Sequence, residues 1–247
     1  MTGAGREGGY HQGMLVLFDV DGTLILARGA GVKSMVEAGR RLIGPRFTLE
    51  GVEIAGRLDP LIWADAAALS GVENPDRMHA VFREMYAEAL SARLAAERPA
   101  YLLPGVQSLI DRLRRMDGLT LGLLTGNYPE TGRMKLEAAG LDPQAFVVAA
   151  WGTDGATRRE LPAAAIRRYR EQMGEAIEPA RVVVIGDTPY DVDCAHACGC
   201  LAVAVATGPA FSLEELQAHG PDLALADLTD TDGIVAWMAA RARALAQ

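Results

Sequence analysis

The chain has 247 residues, half of them apolar and 23% charged, enough to bury a sizeable core and unlike a disordered composition. Its formal net charge of −8 argues against nucleic acid as the main partner, because a phosphate backbone calls for a basic face. No apolar run is long enough for a membrane span, and residues 1–13 are Gly-rich and polar without a signal-peptide core, so the expected location is cytoplasmic.

That opening stretch reads as a flexible tail, with Met1 or Met14 as the translation start. Gly3, Gly5 and Gly8 fit a G-x-G-x-x-G spacing, but no strand precedes them and the match carries no function. The first structural element is the apolar run Met14–Phe18. It suits a central parallel strand buried on both faces, and it stops at Asp19-Val20-Asp21-Gly22-Thr23. Two carboxylates at the carboxyl end of such a strand stand where open α/β sheets bind ligands. One can attack while the other moves protons; the plain alternative is a solvated Asp-x-Asp-Gly turn.

Residues 28–100 change character and read as three helices: Ala30 to Ile43, Pro60 to Leu69 and Pro75 to Ala96. Asp59 is a candidate N-cap for the second, and Met78, Val81, Phe82, Met85, Ala89 and Leu90 give the third its 3.6-residue period. From Pro104 strands and helices alternate. Helices are expected over Pro104–Met116, Pro129–Ala139, Leu161–Met173, from Pro189 and from Thr231. Strands are expected over Leu119–Leu124, Phe146–Trp151, Arg181–Ile185, Leu201–Ala206 and Leu223–Ala226. The order predicts an α/β fold with a doubly wound, Rossmann-like parallel sheet, interrupted by an inserted helical module.

Two later strand ends are polar. Thr125-Gly126-Asn127 before Pro129 offers a hydroxyl, a bare amide and a helix start, which suits a phosphate or serves only as an N-cap turn. Gly186-Asp187-Thr188-Pro189-Tyr190-Asp191 brings two acids. Gathered in one pocket with Asp19 they need a cation, and oxygen-only ligands point to Mg²⁺. Arg158 and Arg159 form either a phosphate-reaching cation or a solvated basic pair. Cys194, His196, Cys198 and Cys200 mimic a metal cluster, but helical spacing separates them and reduced thiols are expected.

Together these motifs resemble the haloacid dehalogenase superfamily, specifically its phosphoglycolate phosphatase-like branch. The resemblance runs from Met14 over nearly the whole chain. It implies a haloacid dehalogenase-like core over 14–27 and 101–247 with a helical cap over 28–100. It also implies a Mg²⁺-dependent phosphomonoesterase acting on small phosphorylated metabolites, with phosphoglycolate as a candidate substrate and a sugar phosphomutase or a non-catalytic phospho-ligand-binding relative as alternatives. Asp19 would be the nucleophile and Asp21 the general acid. Asp19, Asp21 (through its carbonyl) and Asp187 would hold the metal, with Asp191 either a further ligand or one step behind them. Thr125, Gly126 and Asn127 would hold the phosphoryl group, and Arg57 in Gly56-Arg57-Leu58-Asp59 would meet the leaving group or an anionic tail on it, the plain alternative being a helix-capping turn with an exposed arginine. The family's usual third-motif lysine has no counterpart after Lys135, so Arg158 is assigned that role, with Arg159 as runner-up. Lys33 in the cap reads as solvated. No nucleic acid or membrane partner is expected, and the assembly is a monomer or homodimer.

Overall fold

The computed structural model describes residues 13–245; the tail expected over 1–13 lies, apart from Gly13, outside the described residues. In chain order the elements are β1 (Met14–Phe18), β2 (Ile25–Leu26), α1 (Ala30–Leu42), α2 (Asp59–Leu69), α3 (Asp76–Glu97), β3 (Tyr101–Leu102), α4 (Val106–Leu113), β4 (Leu119–Leu124), α5 (Pro129–Ala138) and β5 (Val148–Ala150). They continue with α6 (Leu161–Met173), β6 (Val182–Gly186), α7 (Pro189–Ala197), β7 (Leu201–Val205), α8 (Leu213–Ala218), β8 (Leu223–Leu225) and α9 (Thr231–Ala244).

Six strands form one parallel sheet in the order β5-β4-β1-β6-β7-β8. β1 is central, pairing with β4 on one side and β6 on the other. Alternate residues of a strand point to opposite faces, and β1 divides accordingly. Val16 and Phe18 join the core that holds Leu109, Ile110, Ile234 and Met238 of α4 and α9. Leu15 and Leu17 join the core made with Leu161, Ala165 and Tyr169 of α6 and Val192 of α7. Covering both faces is what lets every residue of β1 be apolar and buried.

The helices α1 to α3 leave and re-enter the core through β2 and β3, which pair antiparallel, Ile25 opposite Leu102. Neither strand was expected, because two residues carry no readable period. An aromatic ladder runs through the insert. Phe47 stacks on Trp63 (centroids 6.0 Å apart), Trp63 on Phe82 (4.1 Å) and Phe82 on Tyr86 (6.1 Å), and Tyr86 meets Tyr128 edge-on (6.2 Å) just after the Thr125–Asn127 turn. Arg83 of α3 adds a two-pronged ion pair to Glu130 of α5, at 2.5 and 2.7 Å.

Several boundaries move. The expected helix from Pro104 begins at Val106, because Gly105 is the N-cap with φ 82. The strand around Phe146 shortens to Val148–Ala150, and α8 is new. Leu58, not Asp59, is the N-cap of α2. Val81, assigned to the apolar stripe of α3, is 44% exposed, since that stripe turns towards Phe82 and Tyr86. Among the described residues no helix is long and apolar enough to cross a membrane.

Candidate active site

The Asp19 N–H donates to Ile185 O (2.9 Å), so Asp19 extends the sheet by one residue beyond β1. The backbone then curls, with Leu24 and Ile25 both donating to Val20 O at 3.0 Å. Gly22 sits at the tip with φ 85, and Thr207 Oγ1 donates to its carbonyl (2.6 Å). A side chain at Gly22 is excluded twice: by that left-handed backbone and by Asp187, whose Oδ2 lies 2.1 Å from where a Cβ would be.

The curl sends the two carboxylates to different neighbours. Asp19 is buried and gathers with Asp187 and Asp191, one ligand-capable oxygen from each lying within 4.8 Å of the others. Among the described residues this is the one such group of three or more acids, histidines or cysteines. Asp21 instead accepts from Asn127 Nδ2 (2.8 Å) and from Lys135 Nζ (2.6 Å). Lys135 also donates to Asn127 Oδ1 (2.6 Å), and Asn127 Nδ2 reaches Thr125 Oγ1 (2.8 Å). The strand end Thr125–Asn127 thus meets the Asp19–Asp21 turn directly.

Of the two candidate arginines the structure brings Arg158 to the site. Its guanidinium lies 3.2 Å from Asp19 Oδ2 and 2.5 Å from Asp191 Oδ1, and donates to Gly56 O (3.1 Å). Arg159 is 64% exposed and pairs with Asp193 on the surface. Asp191 has little left for a metal: Oδ1 takes Arg158, and Oδ2 takes the Thr188 N–H (3.1 Å) and hydroxyl (2.7 Å).

Burial pushes Asp19 up to about 6, against the pull of Arg158 and with the push of Asp191. Burial also raises Asp187 well above the usual carboxylate range, with Asp19 and Asp191 adding to it. Arg158 is held charged: burial opposes the charge, but Asp191 and Asp19 outweigh it. Three buried acids and one arginine leave negative charge to be matched. Oxygen donors at this spacing fit a hard divalent cation.

Two residues of the site escaped the sequence reading. Lys135 is buried on α5 with Thr131 and Leu136, and burial opposes its charge while Asp21 and Asp59 raise its pKa. The available signal was scarcity, since only Lys33 and Lys135 are lysines and Lys135 follows the Thr125–Asn127 turn. Asp59 caps no helix of its own. Its N–H donates to Gly126 O (2.7 Å), and its carboxylate accepts from the Tyr128 N–H (3.0 Å). Burial lifts it to about 7, with Lys135 and the Tyr128 amide pulling the other way.

Arg57 is ion-paired within the insert, to Asp65 at 2.8 Å and Glu53 at 3.4 Å. It lines, with Asp19, Asp21, Asp59 and Asp187, a cavity of about 590 Å³ between the strand ends and the insert. Lys33 is exposed. The Cys194 thiol is buried and donates to Asp191 O (3.3 Å), while His196 lies 3.2 Å from Asp222.

A doubly wound sheet with a carboxylate pair on its central strand and acids on the next defines an α/β enzyme that works from its strand ends. Residues 14–199 match the family model of haloacid dehalogenase-like hydrolases, and the chain belongs to that family. Similar solved structures include a predicted phosphoglycolate phosphatase from Haemophilus somnus, 20% identical, covering 92% of this chain and 100% of that one with a TM-score of 0.66. CbbY from Rhodobacter sphaeroides in complex with phosphate is 19% identical over 88% of this chain and 96% of its own, TM-score 0.67. A protein from Bacteroides vulgatus assigned as a beta-phosphoglucomutase is 19% identical over 94% and 91%, TM-score 0.67. At these identities the likeness is one of fold. No curated protein matches the sequence.

Proposed function

We propose that the chain is a Mg²⁺-dependent phosphomonoesterase that hydrolyses small phosphorylated metabolites through an aspartyl phosphate on Asp19. The observation that carries this is the division of labour at the end of β1: Asp19 faces acids and Arg158, while Asp21 faces Lys135 and Asn127. Mg²⁺ held by Asp19, Asp187 and the Asp21 carbonyl would screen the negative charge between carboxylate and phosphate dianion. Asp191 acts one step back, by fixing Arg158 and the start of α7. Asp19 attacks phosphorus in line and the alcohol leaves. Asp21 gives the departing oxygen its proton and then takes one from the water that opens the acyl phosphate.

Thr125, the Gly126 amide and Asn127 cradle the phosphoryl oxygens, and the Gly126 N–H has no acceptor among the described residues. Residues 28–100 serve as a cap that excludes bulk water from the acyl phosphate. Gly126 fits this role. A Cβ there would lie 2.0 Å from Arg57 O, so the Gly56–Asp59 turn sits directly on the phosphate cradle.

Phosphate release from p-nitrophenyl phosphate and a panel of metabolite phosphates tests this, with Mg²⁺ or EDTA, for wild type and Asp19→Asn. Metal-dependent release, lost by at least about 10³-fold in the variant, is expected. Transfer between sugar phosphates without free phosphate would favour the mutase alternative. Folded, metal-supplied protein that neither releases phosphate nor becomes phosphorylated on Asp19 would leave only phospho-ligand binding.

A further inference from the structure

We infer that the favoured substrate is a phosphate monoester of a hydrocarbon alcohol, whose apolar leaving group is enclosed by the insert's side of the cavity. The inference rests on the phosphatase reading above and names the substrate class for the same site.

The cavity of about 590 Å³ is far larger than a phosphoryl group needs and has the size of sites that enclose a whole small molecule. Asp19, Asp21, Asp187, Thr125 and Arg158 line it from the core. On the insert's side its wall is hydrocarbon: Leu26, Ala27, Val32 and Met35 from β2 into α1, Ile54 from the turn before α2, and Ile62 from α2 itself. Met35 and Ile62 are buried, whereas Val32 is 37% exposed and marks the open side.

Ligand sites are commonly apolar, so the polar side chains on the same wall decide the matter, and they are already engaged. Arg57 pairs with Asp65 and Glu53. Asp59 accepts the Tyr128 N–H, and Lys135 holds Asp21 and Asn127. The buried Tyr86 hydroxyl turns to the Thr131 hydroxyl. Arg28 is exposed and lies over the Tyr101 ring, 5.2 Å from the centroid.

A sugar or polyol would therefore bring its hydroxyls against methyl and methylene groups, and a buried hydroxyl without a partner is unfavourable. A hydrocarbon forfeits no hydrogen bond there. It gains by leaving water, about 2- to 4-fold in affinity for each methylene enclosed.

The test compares ethyl phosphate, hexyl phosphate and D-glucitol 6-phosphate as substrates in Mg²⁺; the last two share a carbon chain and differ in hydroxyls. Binding of the same esters to Asp19→Asn is followed by calorimetry, so the comparison survives without turnover. Hexyl phosphate is expected to exceed each of the others at least about 10-fold in kcat/KM and in affinity. Its binding is also expected to show the more negative heat-capacity change that apolar burial brings. Ile54→Asn and Val32→Asn each put an amide on the wall at a position that is not fully buried. In both, the hexyl-to-glucitol ratio is expected to fall at least about 3-fold, as hydroxyls gain a partner. Phosphate release with equal or better handling of ethyl or glucitol phosphate overturns the inference and leaves the phosphatase reading standing. So does a ratio that neither substitution changes, since the wall would then not make the choice. Selective binding of hexyl phosphate by Asp19→Asn with no turnover by wild type would keep the apolar site and sink the phosphatase reading.

Discussion

Lys135 is the residue whose removal says most. Its ammonium holds Asp21 at 2.6 Å and Asn127 Oδ1 at 2.6 Å from a buried position on α5. No aliphatic side chain can hold that carboxylate. For Lys135→Met we expect hydrolysis of alkyl phosphates to fall on the order of 10²-fold, the scale of a displaced general acid. p-Nitrophenyl phosphate, whose leaving group hardly needs a proton, is expected to lose far less. Steady-state kinetics on both esters checks this, and equal losses would assign Lys135 to folding rather than to Asp21. Of the residues around Asp21, Asn127 was legible from its motif. Lys135 was not, because its distance from Asp21 is closed by the β1–β4 pairing and not by sequence spacing.

At the scale of elements, the contact between insert and core depends on one missing methyl. Gly126 O accepts from Asp59 N–H, and its α-carbon faces Arg57 O. Gly126→Ala would push the Gly56–Asp59 turn off the cradle and strain the Tyr128 amide bond to Asp59. A loss of about 1–3 kcal/mol in denaturant unfolding is expected, as for overpacking elsewhere, together with a drop of at least about 10-fold in kcat/KM. Wild-type stability and activity in this variant would mean that the turn does not bear on the cradle. The long helices were readable because α3, α6 and α7 carry period or Pro signals at their starts. The pair β2–β3 was not, because its two-residue strands exist only by pairing across the base of the insert.

For the molecule as a whole, the buried acids tie stability to pH and metal. Asp19 at about 6, Asp59 at about 7 and Asp187 well above normal all titrate higher in the folded chain than in the unfolded one. Between about pH 4, where unfolded carboxylates ionise, and pH 7 the native state therefore holds more protons. Stability from these groups falls as pH rises through that window. If Asp19 and Asp187 hold Mg²⁺ as proposed, the ion would offset the penalty for these two acids by binding their ionised forms. We expect the rise in Tm on adding Mg²⁺ to be larger at pH 7.5 than at pH 5, and to persist in Asp59→Asn. Thermal melts at the two pH values decide it; an equal rise at both would show that these acids do not hold the metal.

What the sequence determined by itself was local or repeated: the buried strands, the α/β order, the inserted helices, and Asp19, Asp21, Thr125 and Asp187 as strand-end groups. These follow from apolar period and from motifs that each lie within a few residues. Tertiary structure alone decided which cation meets Asp19. Arg158 and Arg159 are neighbours in sequence, yet one turns inward to Asp19 and Asp191 while the other pairs with Asp193 on the surface. It also decided that Asp59 crosses to Tyr128 rather than capping α2, and that Lys135 reaches Asp21. Each outcome depends on atoms brought together from distant parts of the chain, and the desolvation and charge that give those residues their character arise only where they meet.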